Sequence, residues 1–597
     1  MLPHPSFNSK LYPVGTLLLV IIATGLIFFS SLKQSLTIDE PNHLYCGMEW
    51  LQEGSYTAWP ENPPLARVIV ALGPYLNGHI ITPPTQGEQQ TMTDYFFASY
   101  DMKYFEMGAI EEKLGWMRIF VLPLFLLSVG IVWYWARALG GNRAAFLAVG
   151  MYALLPPILA HSGLATTDIG FSAFFTLSIF SFARWLNKPT YRRACIFGVC
   201  MAAALLSKYS TLAFSPPVAL LLLVLFRIYG LAQTGLSGRN WGLRALKSAA
   251  VGIVVAFLLV WAFFGFSAGT LGNEPTIQAA IQEGAIPAAY GNLWLPAPEW
   301  FAGLGLLMLH NQQGHLAYIA GEVSVHGFWY FYLLTTLVKT PLPFLLLLLA
   351  GATGACLHLD RPRNWEAMAL SLLPFAIILG GLTSNINIGI RHILIIYPLG
   401  AIGASIGLMR LLGYVTERYG ALWKKAVPPA LVLWQLTIAA MAYPAYLSYF
   451  NPIAGEEPGE LLIDSDLDWG QGMFELAEFC RKNKIESLSL SYFGLGQDCW
   501  YGLPVIKNLS PDSVAEGWVA VSEVAYRGVW GGMATPAEAC HSLSFRPIIN
   551  DKLQPSTGFR WLDKYPLKAK LAGSIRLYYI DKKEPVQAPL KLRGTVK

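Results

Sequence analysis

Long, continuous runs of apolar residues recur along the first three quarters of the chain. Each run is roughly 17–25 residues long, which is the length that a helix needs to cross a bilayer. Within a run the residues do not alternate between apolar and polar, as the strands of a membrane β-barrel do. This length rule predicts about eleven membrane-spanning helices. They fall at residues 12–32, 116–137, 144–160, 168–186, 194–209, 211–228, 247–266, 328–350, 367–383, 391–411 and 426–444.

The distribution of Lys and Arg predicts the orientation of these helices. Every second connection between the runs is rich in basic residues, and the positive-inside rule assigns such connections to the cytoplasm. The amino terminus is then cytoplasmic, and an odd number of spans puts the carboxyl terminus outside. The basic residues of these connections are Arg137, Arg143, Arg184, Lys188, Arg192, Arg193, Arg227, Arg239, Arg244, Lys247, Arg361, Arg363, Arg410, Arg418, Lys424 and Lys425.

Three longer segments fall on the predicted outer side: the loops 33–115 and 267–327, and the tail 445–597. Residues 1–444 would form the transmembrane domain. The tail is less hydrophobic and contains short strand-like and helix-like runs. The strand-like runs are Glu460–Ile463, Ser487–Tyr492, Val519–Val521 and Ile575–Ile580, and the helix-like run is Met473–Cys480. The predicted fold class is an all-α polytopic membrane protein with a small α/β extracytoplasmic C-terminal domain.

Composition agrees with a chain that meets lipid along much of its length. Charged residues make up 13% of the 597 residues, against about 25% in ordinary soluble proteins, and the mean hydropathy is +0.44. The net charge of +5 is small and its residues are scattered, which excludes a dedicated nucleic-acid binder. No A-x-A-like cleavage site follows the first run, so an uncleaved first helix is favoured over a signal peptide.

Seven Cys residues include no C-x-x-C pair, so metal-knuckle and thioredoxin-like motifs have no support. Cys499 and Cys540 could form a disulfide in the tail if the compartment is oxidising.

Two adjacent carboxylates, Asp39 and Glu40, follow the first predicted span directly. Asp is a preferred N-cap and Pro41 suits the first turn of a helix, so capping is one explanation of Asp39. The other is a general base. A carboxylate whose pKa is raised by partial burial can accept the proton of an attacking hydroxyl. The two roles are compatible.

A second polar cluster lies in the first outer loop, where Glu61 and Asn62 precede Pro63 and Pro64. Consecutive prolines hold the backbone extended and stop a preceding helix. They would fix Glu61 and Asn62 beside the membrane, with Arg67 on a new interfacial helix. A turn followed by a surface Arg is the simpler explanation.

Further charged residues lie at membrane depth or at the outer ends of predicted spans. They are Arg118, Asp168, Lys208, Lys339, Arg391 and the adjacent His392. A charge inside the bilayer costs about 2.5–3.5 kcal/mol even on the milder scale, so such residues are functional candidates. Snorkelling to the interface is the alternative for Arg118 and Arg391. Asp168 fits either an N-cap or a contact with an acceptor or a metal.

Carboxylates and cations together suit one class of reaction. A carboxylate can take the proton of a hydroxyl, and cations stabilise a phosphate leaving group as its charge develops. A phosphate attached to a lipid would lie at the interface where these residues are predicted. The combination is the one needed to transfer a sugar from a lipid phosphate to a nucleophile.

These residues resemble those of the glycosyltransferase-C superfamily, in its protein O-mannosyltransferase and aminoarabinose-transferase-like branch of bacterial, phospholipid carrier-dependent enzymes. The resemblance covers most of the chain and rests on the order and membrane side of the motifs rather than on any single one. The motifs are Asp39-Glu40, Asn62-Pro63-Pro64, Arg118, Asp168, Lys208-Tyr209, Lys339-Thr340-Pro341 and Arg391-His392.

The resemblance implies a polyprenyl-phosphate-linked sugar donor and an inverting, single-displacement transfer at the periplasmic or extracellular face of the plasma (inner) membrane. Asp39 would be the catalytic carboxylate, and Glu40 would place the acceptor or Arg118. The donor phosphate would be bound by Arg118, Lys208 and Arg391, with Arg67 and Lys339 as further candidates. The remaining candidates, on the acceptor side or elsewhere in the site, are Glu61, Asn62, Asp168, His392, Asp466 and Asp468.

Some relatives use a divalent metal and others do not. The sequence contains no clear metal cage, so a need for a divalent cation stays open.

The tail segment from Leu462 to Gln471 resembles one found in bacterial members whose acceptor is uncertain. Its Asp466 and Asp468 could bind a cation or cap a helix starting near Gln471, although turn chemistry alone explains many such runs. The loop 267–327 is too short for the β-trefoil domain of the eukaryotic protein mannosyltransferases. A protein hydroxyl, a lipid and a polysaccharide therefore all stay open as acceptors.

The main alternative function is a multi-span transporter, because intramembrane charges and about eleven spans also suit one. Transporters commonly contain two similar halves. This sequence has no detectable repeat, and its outer loops are asymmetric. A structural membrane protein with a binding tail is a second alternative, but it leaves Lys339 and Asp39-Glu40 unexplained.

Overall fold

The computed structural model describes residues 8–82, 91–92, 94–95, 114–115, 117–356, 364–420, 422–494, 496–497, 501–511, 515–536, 541–547 and 558–581. Cys499 and Cys540 lie outside the described residues, and so does their predicted disulfide. The basic residues Arg361 and Arg363 lie outside them as well.

Helices dominate the first 442 residues, and each of the predicted spans overlaps one of them. The helices up to the tail are α1 Asn8–Ser31, α2 Glu40–Glu53, α3 Pro64–Leu76, α4 Val121–Ala153, α5 Pro156–His161, α6 Asp168–Asn187, α7 Tyr191–Leu205, α8 Ser210–Leu225, α9 Gly238–Phe263, α10 Pro275–Gln282, α11 Pro298–Gln313, α12 Phe331–Lys339, α13 Leu342–Cys356, α14 Trp365–Gly381, α15 Ile396–Tyr419 and α16 Leu422–Ala442. Seven helices of the described chain are long and apolar enough to cross a membrane, or eight if α12 and α13 form one span.

One reason why the described chain has seven or eight such helices, and not the predicted eleven, is that the single helix α4 covers two predicted spans. This helix is 33 residues long, which corresponds to about 50 Å and exceeds a hydrocarbon core of about 30 Å. Gly141, with φ 78° and ψ −174°, interrupts it between two of the predicted spans. Two further predicted spans correspond to the shorter helices α7 and α14, of 15 and 17 residues.

The predicted span 328–350 is broken rather than continuous. The chain bends by 113° between helices α12 and α13, at Thr340 and Pro341. Proline has no N–H to donate and its ring clashes with the preceding turn, so a bend is expected there. Lys339 therefore lies at the corner of a bent pair of helices and not in the middle of a straight one.

Small residues bring the membrane helices into close contact. A Cβ on Gly198 of α7 would lie 2.4 Å from the carbonyl oxygen of Gly252 in α9. Gly354 of α13 approaches Gly407 of α15 in the same way, at 2.2 Å. Backbones can approach this closely only where side chains are minimal, which is a common way of packing helices in a bilayer.

The tail forms a small α/β unit, as predicted. Its elements are α17 Met473–Lys482, β5 Ser487–Ser491, β6 Gly496–Gln497, β7 Val505–Asn508, β8 Gly517–Ser522, α18 Glu523–Tyr526, β9 Trp530–Pro536, β10 His541–Pro547, β11 Ala569–Leu571 and β12 Ile575–Ile580. A five-stranded sheet has the order β11-β12-β8-β5-β7, with β5 parallel to both neighbours, and a second sheet has the order β6-β10-β9. The predicted strand Glu460–Ile463 is wrong, because Pro458–Glu460 forms a 3-10 turn.

The segments predicted to share the outer side lie against one another. The loop 267–327 contains the hairpins β1 Ala268–Thr270 with β2 Trp294–Pro296, and β3 Ala317–Ile319 with β4 Glu322–Ser324. Its Ala320 N–H donates to the carbonyl of Leu461 in the tail at 3.1 Å.

The tail also pairs with the chain just after α1. The N–H groups of Ser35 and Ile38 donate to the carbonyls of Gln471 and Trp469, each at 3.1 Å. The tail backbone thus fixes the segment that leads directly into Asp39.

Candidate active site

Asp39 occupies the N-cap position of α2, but its side chain makes no capping hydrogen bond. Instead its Oδ2 lies 2.7 Å from Nη1 of Arg391. The Asp39 side chain is 21% exposed, so solvent reaches this carboxylate. Capping alone therefore does not explain Asp39.

Arg391 lies in a 3-10 turn, Ile390–Ile393, that precedes α15. Its guanidinium stacks over the ring of Trp469 with a distance of 4.2 Å to the centroid, and its Nε donates to Ser465 Oγ at 3.2 Å. Its Nη1 also lies 3.9 Å from Oδ2 of Asp168. Arg391 thus joins the carboxylate after α1 to the membrane helices and to the tail.

Asp168 and Lys208 complete a line of alternating charges. The Nζ of Lys208 lies 2.5 Å from Oδ1 of Asp168, and both side chains are at most 9% exposed. The N-cap residue of α6 is Thr167, and Asp168 therefore serves this ion pair rather than the cap. The order of the groups is Asp39, Arg391, Asp168, Lys208.

Two histidines beside this line have unused ring nitrogens. Nε2 of His392 and Nδ1 of His161 are buried without a hydrogen-bond partner among the described residues. The His161 ring also contacts Trp469 edge-on at 6.1 Å. Buried polar atoms without partners are rare, and they commonly mark a place for a ligand or a water molecule.

Glu40 and Arg118 form a buried ion pair, and every N–H group of Arg118 donates a hydrogen bond within the protein. The Nε and Nη2 of Arg118 donate to the two carboxylate oxygens of Glu40, each at 2.8 Å. The remaining N–H groups donate to the carbonyls of Ser31, Gln34 and Ser35. Because a guanidinium has five N–H groups, Arg118 has none left for a phosphate.

Burial alone would raise the pKa of Glu40, but the charge and hydrogen bonds of Arg118 outweigh it and leave the pKa lowered. The N–H groups of Thr37 and Ala165 also donate to this carboxylate, at 2.9 and 2.8 Å. Glu40 therefore ties together the end of α1, the start of α2 and the loop before α6. This fits the predicted role of placing Arg118 and leaves no path to an acceptor, because Glu40 is fully buried.

Arg67 and Lys339 also have partners inside the protein. Arg67 is fully buried and donates to Nδ1 of His43, the hydroxyl of Tyr56 and the carbonyl of Trp59. Lys339 donates to three tail carbonyls, those of Leu447, Tyr449 and Asp466. An ammonium has three N–H groups, so Lys339 fastens the tail to the corner between α12 and α13.

Glu61 lies in a hydrogen-bonded chain that the sequence did not indicate. Its Oε2 accepts from Nε1 of Trp59 at 2.8 Å, and its Oε1 contacts Nδ1 of His310. Nε2 of His310 lies 3.1 Å from Nδ1 of His315. The pKa of Glu61 falls to about 2 because His310 outweighs burial, and Glu61 in turn raises the pKa of His310. His310 and His315 lie about 250 residues from Glu61 along the chain, so no local sequence pattern could predict this contact.

Asn62 contributes through its backbone, because its carbonyl accepts a hydrogen bond from the hydroxyl of Tyr56.

The three acidic residues of the tail segment differ in their burial and in their hydrogen bonds. Oδ1 of Asp466 accepts the N–H of Ile390 at 2.9 Å, and Oδ2 of Asp468 accepts that of Val524 at 3.2 Å. Both are at most 1% exposed, whereas Asp464 is half-buried. None caps α17, which begins after Gly472 without a side-chain cap.

In the part of the chain that the structure describes, no group of three His, Cys, Asp or Glu side chains is arranged to hold a metal ion.

Residues 110–261 match a family model described as dolichyl-phosphate-mannose-protein mannosyltransferase. The matched segment contains Arg118, Asp168 and Lys208. Over this segment the match confirms the resemblance to the glycosyltransferase-C superfamily that the motifs predict. No curated protein matches the chain in sequence.

Several solved structures are similar to this chain at low identity. ArnT from Cupriavidus metallidurans bound to undecaprenyl phosphate is 13% identical, with a TM-score of 0.47 over 89% of this chain and 97% of that one. AglB, an oligosaccharyltransferase from Archaeoglobus fulgidus, is 12% identical, with a TM-score of 0.44 over 94% and 79%. The protein O-mannosyltransferase Pmt1–Pmt2 complex of S. cerevisiae is 17% identical, with a TM-score of 0.32 over 44% and 34%. Similarities of this size do not assign a function.

Proposed function

We propose, from the family match and the charges around Arg391, that this chain is a membrane glycosyltransferase that transfers a sugar from a polyprenyl phosphate to an acceptor hydroxyl. The reaction is an inverting single displacement on the periplasmic or extracellular face of the plasma membrane. The observation that carries the proposal is the ion pair between Asp39 and Arg391, with Lys208 close by on the same line of charges.

In the proposed reaction the acceptor oxygen attacks the anomeric carbon of the donor. The new C–O bond forms as the bond from that carbon to the phosphate oxygen breaks. The acceptor proton passes to the carboxylate of Asp39, and the electron pair of the broken bond stays on the polyprenyl phosphate. Arg391 and Lys208 stabilise the charge that develops there, as preorganised donors do in other group transfers.

The proposed phosphate-binding cations differ from the other candidates because, among the described residues, some of their N–H groups have no partner within the protein. Among the described residues, Lys208 donates one hydrogen bond, to Asp168. Nε and Nη1 of Arg391 are engaged by Ser465 and Asp39. The unpaired Nε2 of His392 adds a third group beside them. Arg118, Arg67 and Lys339 are assigned to the framework because side chains and carbonyls of the protein occupy their N–H groups.

An apolar cavity of about 310 Å³ between α7, α9 and the start of α11 is proposed to hold part of the polyprenyl chain. Met201, Ile253, Phe257 and Trp300 line it, and Ile253 is exposed on the surface of α9. The Nε1 of Trp300 donates to the carbonyl of the last α7 residue, three positions before Lys208. A chain in this cavity would therefore end close to the proposed phosphate site.

The first test is consumption of a labelled polyprenyl-phosphate sugar by the purified protein. We expect Arg391→Gln to lower kcat/KM for the donor by about 10²–10³-fold, the usual cost of losing one donor to a developing oxyanion. The matched control is Arg410→Gln, which removes an Arg from α15, the helix that follows the turn carrying Arg391, and should leave kcat/KM within about twofold.

The proposal fails if the wild-type protein consumes no lipid-linked sugar under any acceptor condition. A solute gradient formed by reconstituted protein under those same conditions would establish the transporter instead. Equal losses of kcat/KM in the Arg391 and Arg410 variants would contradict the proposed role of Arg391 in binding the phosphate.

The lipid cavity has a separate test. Ala256→Trp fills the space between α7 and α9, and should raise the half-saturating donor concentration about tenfold, or about 1.4 kcal/mol of binding, with kcat little changed. Leu246→Trp puts the same side chain on an exposed face of α9 and is the control. A fall in kcat without a change in donor saturation would contradict a role in lipid binding.

A further inference from the structure

The turn Asp464–Asp466 of the tail is fixed against the turn that carries Arg391. Ser465 Oγ donates to the carbonyl of Ile388 and accepts from Nε of Arg391. Gly389 makes this approach feasible, because a Cβ there would lie 2.5 Å from Ser465 Oγ and its φ is 150°. The tail therefore forms one wall of the proposed active site.

The carboxylate of Asp464 is the one acidic group of this turn that stays accessible. Asp466 and Asp468 are buried and bind backbone N–H groups of Ile390 and Val524. Asp464 is half-buried, and among the described residues its carboxylate accepts a hydrogen bond only from the next N–H of its own turn, at 2.6 Å. Its remaining lone pairs are available to a ligand.

The backbone of Asp464 is held in an unfavourable conformation. Its φ is 58°, in the left-handed region that few residues other than glycine adopt. Such a conformation costs about 1–3 kcal/mol and tends to persist where the surroundings impose it, often at functional sites. Asp and Asn tolerate this region better than most residues do.

Two parts of the chain meet at Arg391: Asp39 pairs with its Nη1, and Ser465, the residue after Asp464, accepts from its Nε. Burial raises the pKa of Asp464 to about 7, the hydrogen bond from Ser465 and the charge of Arg391 oppose this rise, and the carboxylates of Asp39 and Asp466 add to it. One carboxyl group after α1 thus pairs with Arg391, and one in the tail belongs to the residue next to its partner Ser465.

Charge decides which substrate such a pair can receive. Both carboxylates would repel the phosphate of the donor, which is attracted instead toward Lys208, because among the described residues its ammonium uses only one of its three N–H groups, on Asp168. An acceptor brings O–H or N–H groups, and carboxylates accept hydrogen bonds from these. The region around Asp39 and Asp464 therefore suits the acceptor.

We propose that Asp464 binds the acceptor through a hydroxyl or N–H group next to the attacking hydroxyl, and so selects acceptors that carry no negative charge at that position. This inference rests on the proposed glycosyl transfer. Asp39 takes the proton of the nucleophile, and Asp464 holds the neighbouring donor group in place. The tail then determines acceptor choice through a residue that contacts substrate directly.

The test separates acceptor saturation from donor saturation. Purified protein is assayed with labelled polyprenyl-phosphate sugar while the envelope fraction of the native cells is titrated as the acceptor source. Asp464→Gly keeps the left-handed turn and removes the carboxylate, and Asp464→Asn keeps one carbonyl oxygen. Glu478→Gln, an exposed position on α17, is the control.

We expect Asp464→Gly to raise the half-saturating amount of envelope about tenfold, Asp464→Asn to raise it less, and neither variant to change the half-saturating donor concentration by more than about twofold. Titration with separated protein, lipid and glycan fractions identifies which one carries the acceptor.

A parallel rise for donor and acceptor, or no change for either, would overturn the role of Asp464 while leaving the proposed transfer intact. If the wild-type protein consumes no donor, the proposed function fails and this inference fails with it.

Discussion

Replacing Asp39 with Asn should slow sugar transfer by about 10²–10⁴-fold, the range that a general base contributes. The substituted side chain would still fit beside Arg391, because an amide oxygen can accept from Nη1 as the carboxylate does at 2.7 Å. An amide cannot take the proton of the acceptor hydroxyl. The expected loss is therefore in kcat, measured as labelled product formed at saturating donor and acceptor.

Binding of polyprenyl phosphate distinguishes a lost base from a damaged site. The Asp39→Asn variant should bind this lipid at least as tightly as wild type, because Arg391 no longer shares its charge with a carboxylate. Glu322→Gln, at an exposed position of β4, is the control for loss of an outer carboxylate. Unchanged transfer in Asp39→Asn would refute the proposed base.

Arg118→Met should cost about 3–5 kcal/mol of stability, because removing one partner leaves a buried, uncompensated charge on Glu40. Both side chains are at most 1% exposed in the protein. The measurement is the thermal inactivation of the detergent-solubilised protein. The control is Arg184→Met at an exposed position of α6, and it should change stability by less than about 0.5 kcal/mol.

The pH dependence of that loss has a defined sign. In the wild type the pKa of Glu40 is lowered, so its contribution to stability is present above the ordinary value of 4.5 and is lost as the pH falls below it. Without Arg118, burial raises this pKa and the carboxyl becomes neutral at higher pH. The difference between Arg118→Met and wild type should therefore shrink on acidification, and the double variant Glu40→Gln, Arg118→Met should recover part of the loss. A difference independent of pH would contradict the ion-pair explanation.

The carboxyl-terminal tail shows most clearly which features the sequence predicted and which it left open. Its helix and three of its four strands followed from short-range patterns. The run of acidic residues was ambiguous, because turn, cap and ligand roles use the same residue types. Only the packing of the tail on Gly389 and Ile390 separates Asp464, whose side chain stays half-buried, from Asp466, which is buried and binds a backbone N–H.

The sequence by itself determined the apolar helices and the set of charged residues near their ends, and it predicts their relative sidedness. These follow from local properties: the lengths of apolar runs, the positions of Lys and Arg, and the cost of placing a charge in lipid. The tertiary structure decided which charges are committed to the framework. Lys339 meets carbonyls 108 to 127 residues away, and Arg118 meets Glu40 from a distance of 78 residues. Hydrogen-bond saturation depends on such long-range contacts, so only the folded chain separates Arg391 and Lys208 from the cations that hold the structure together.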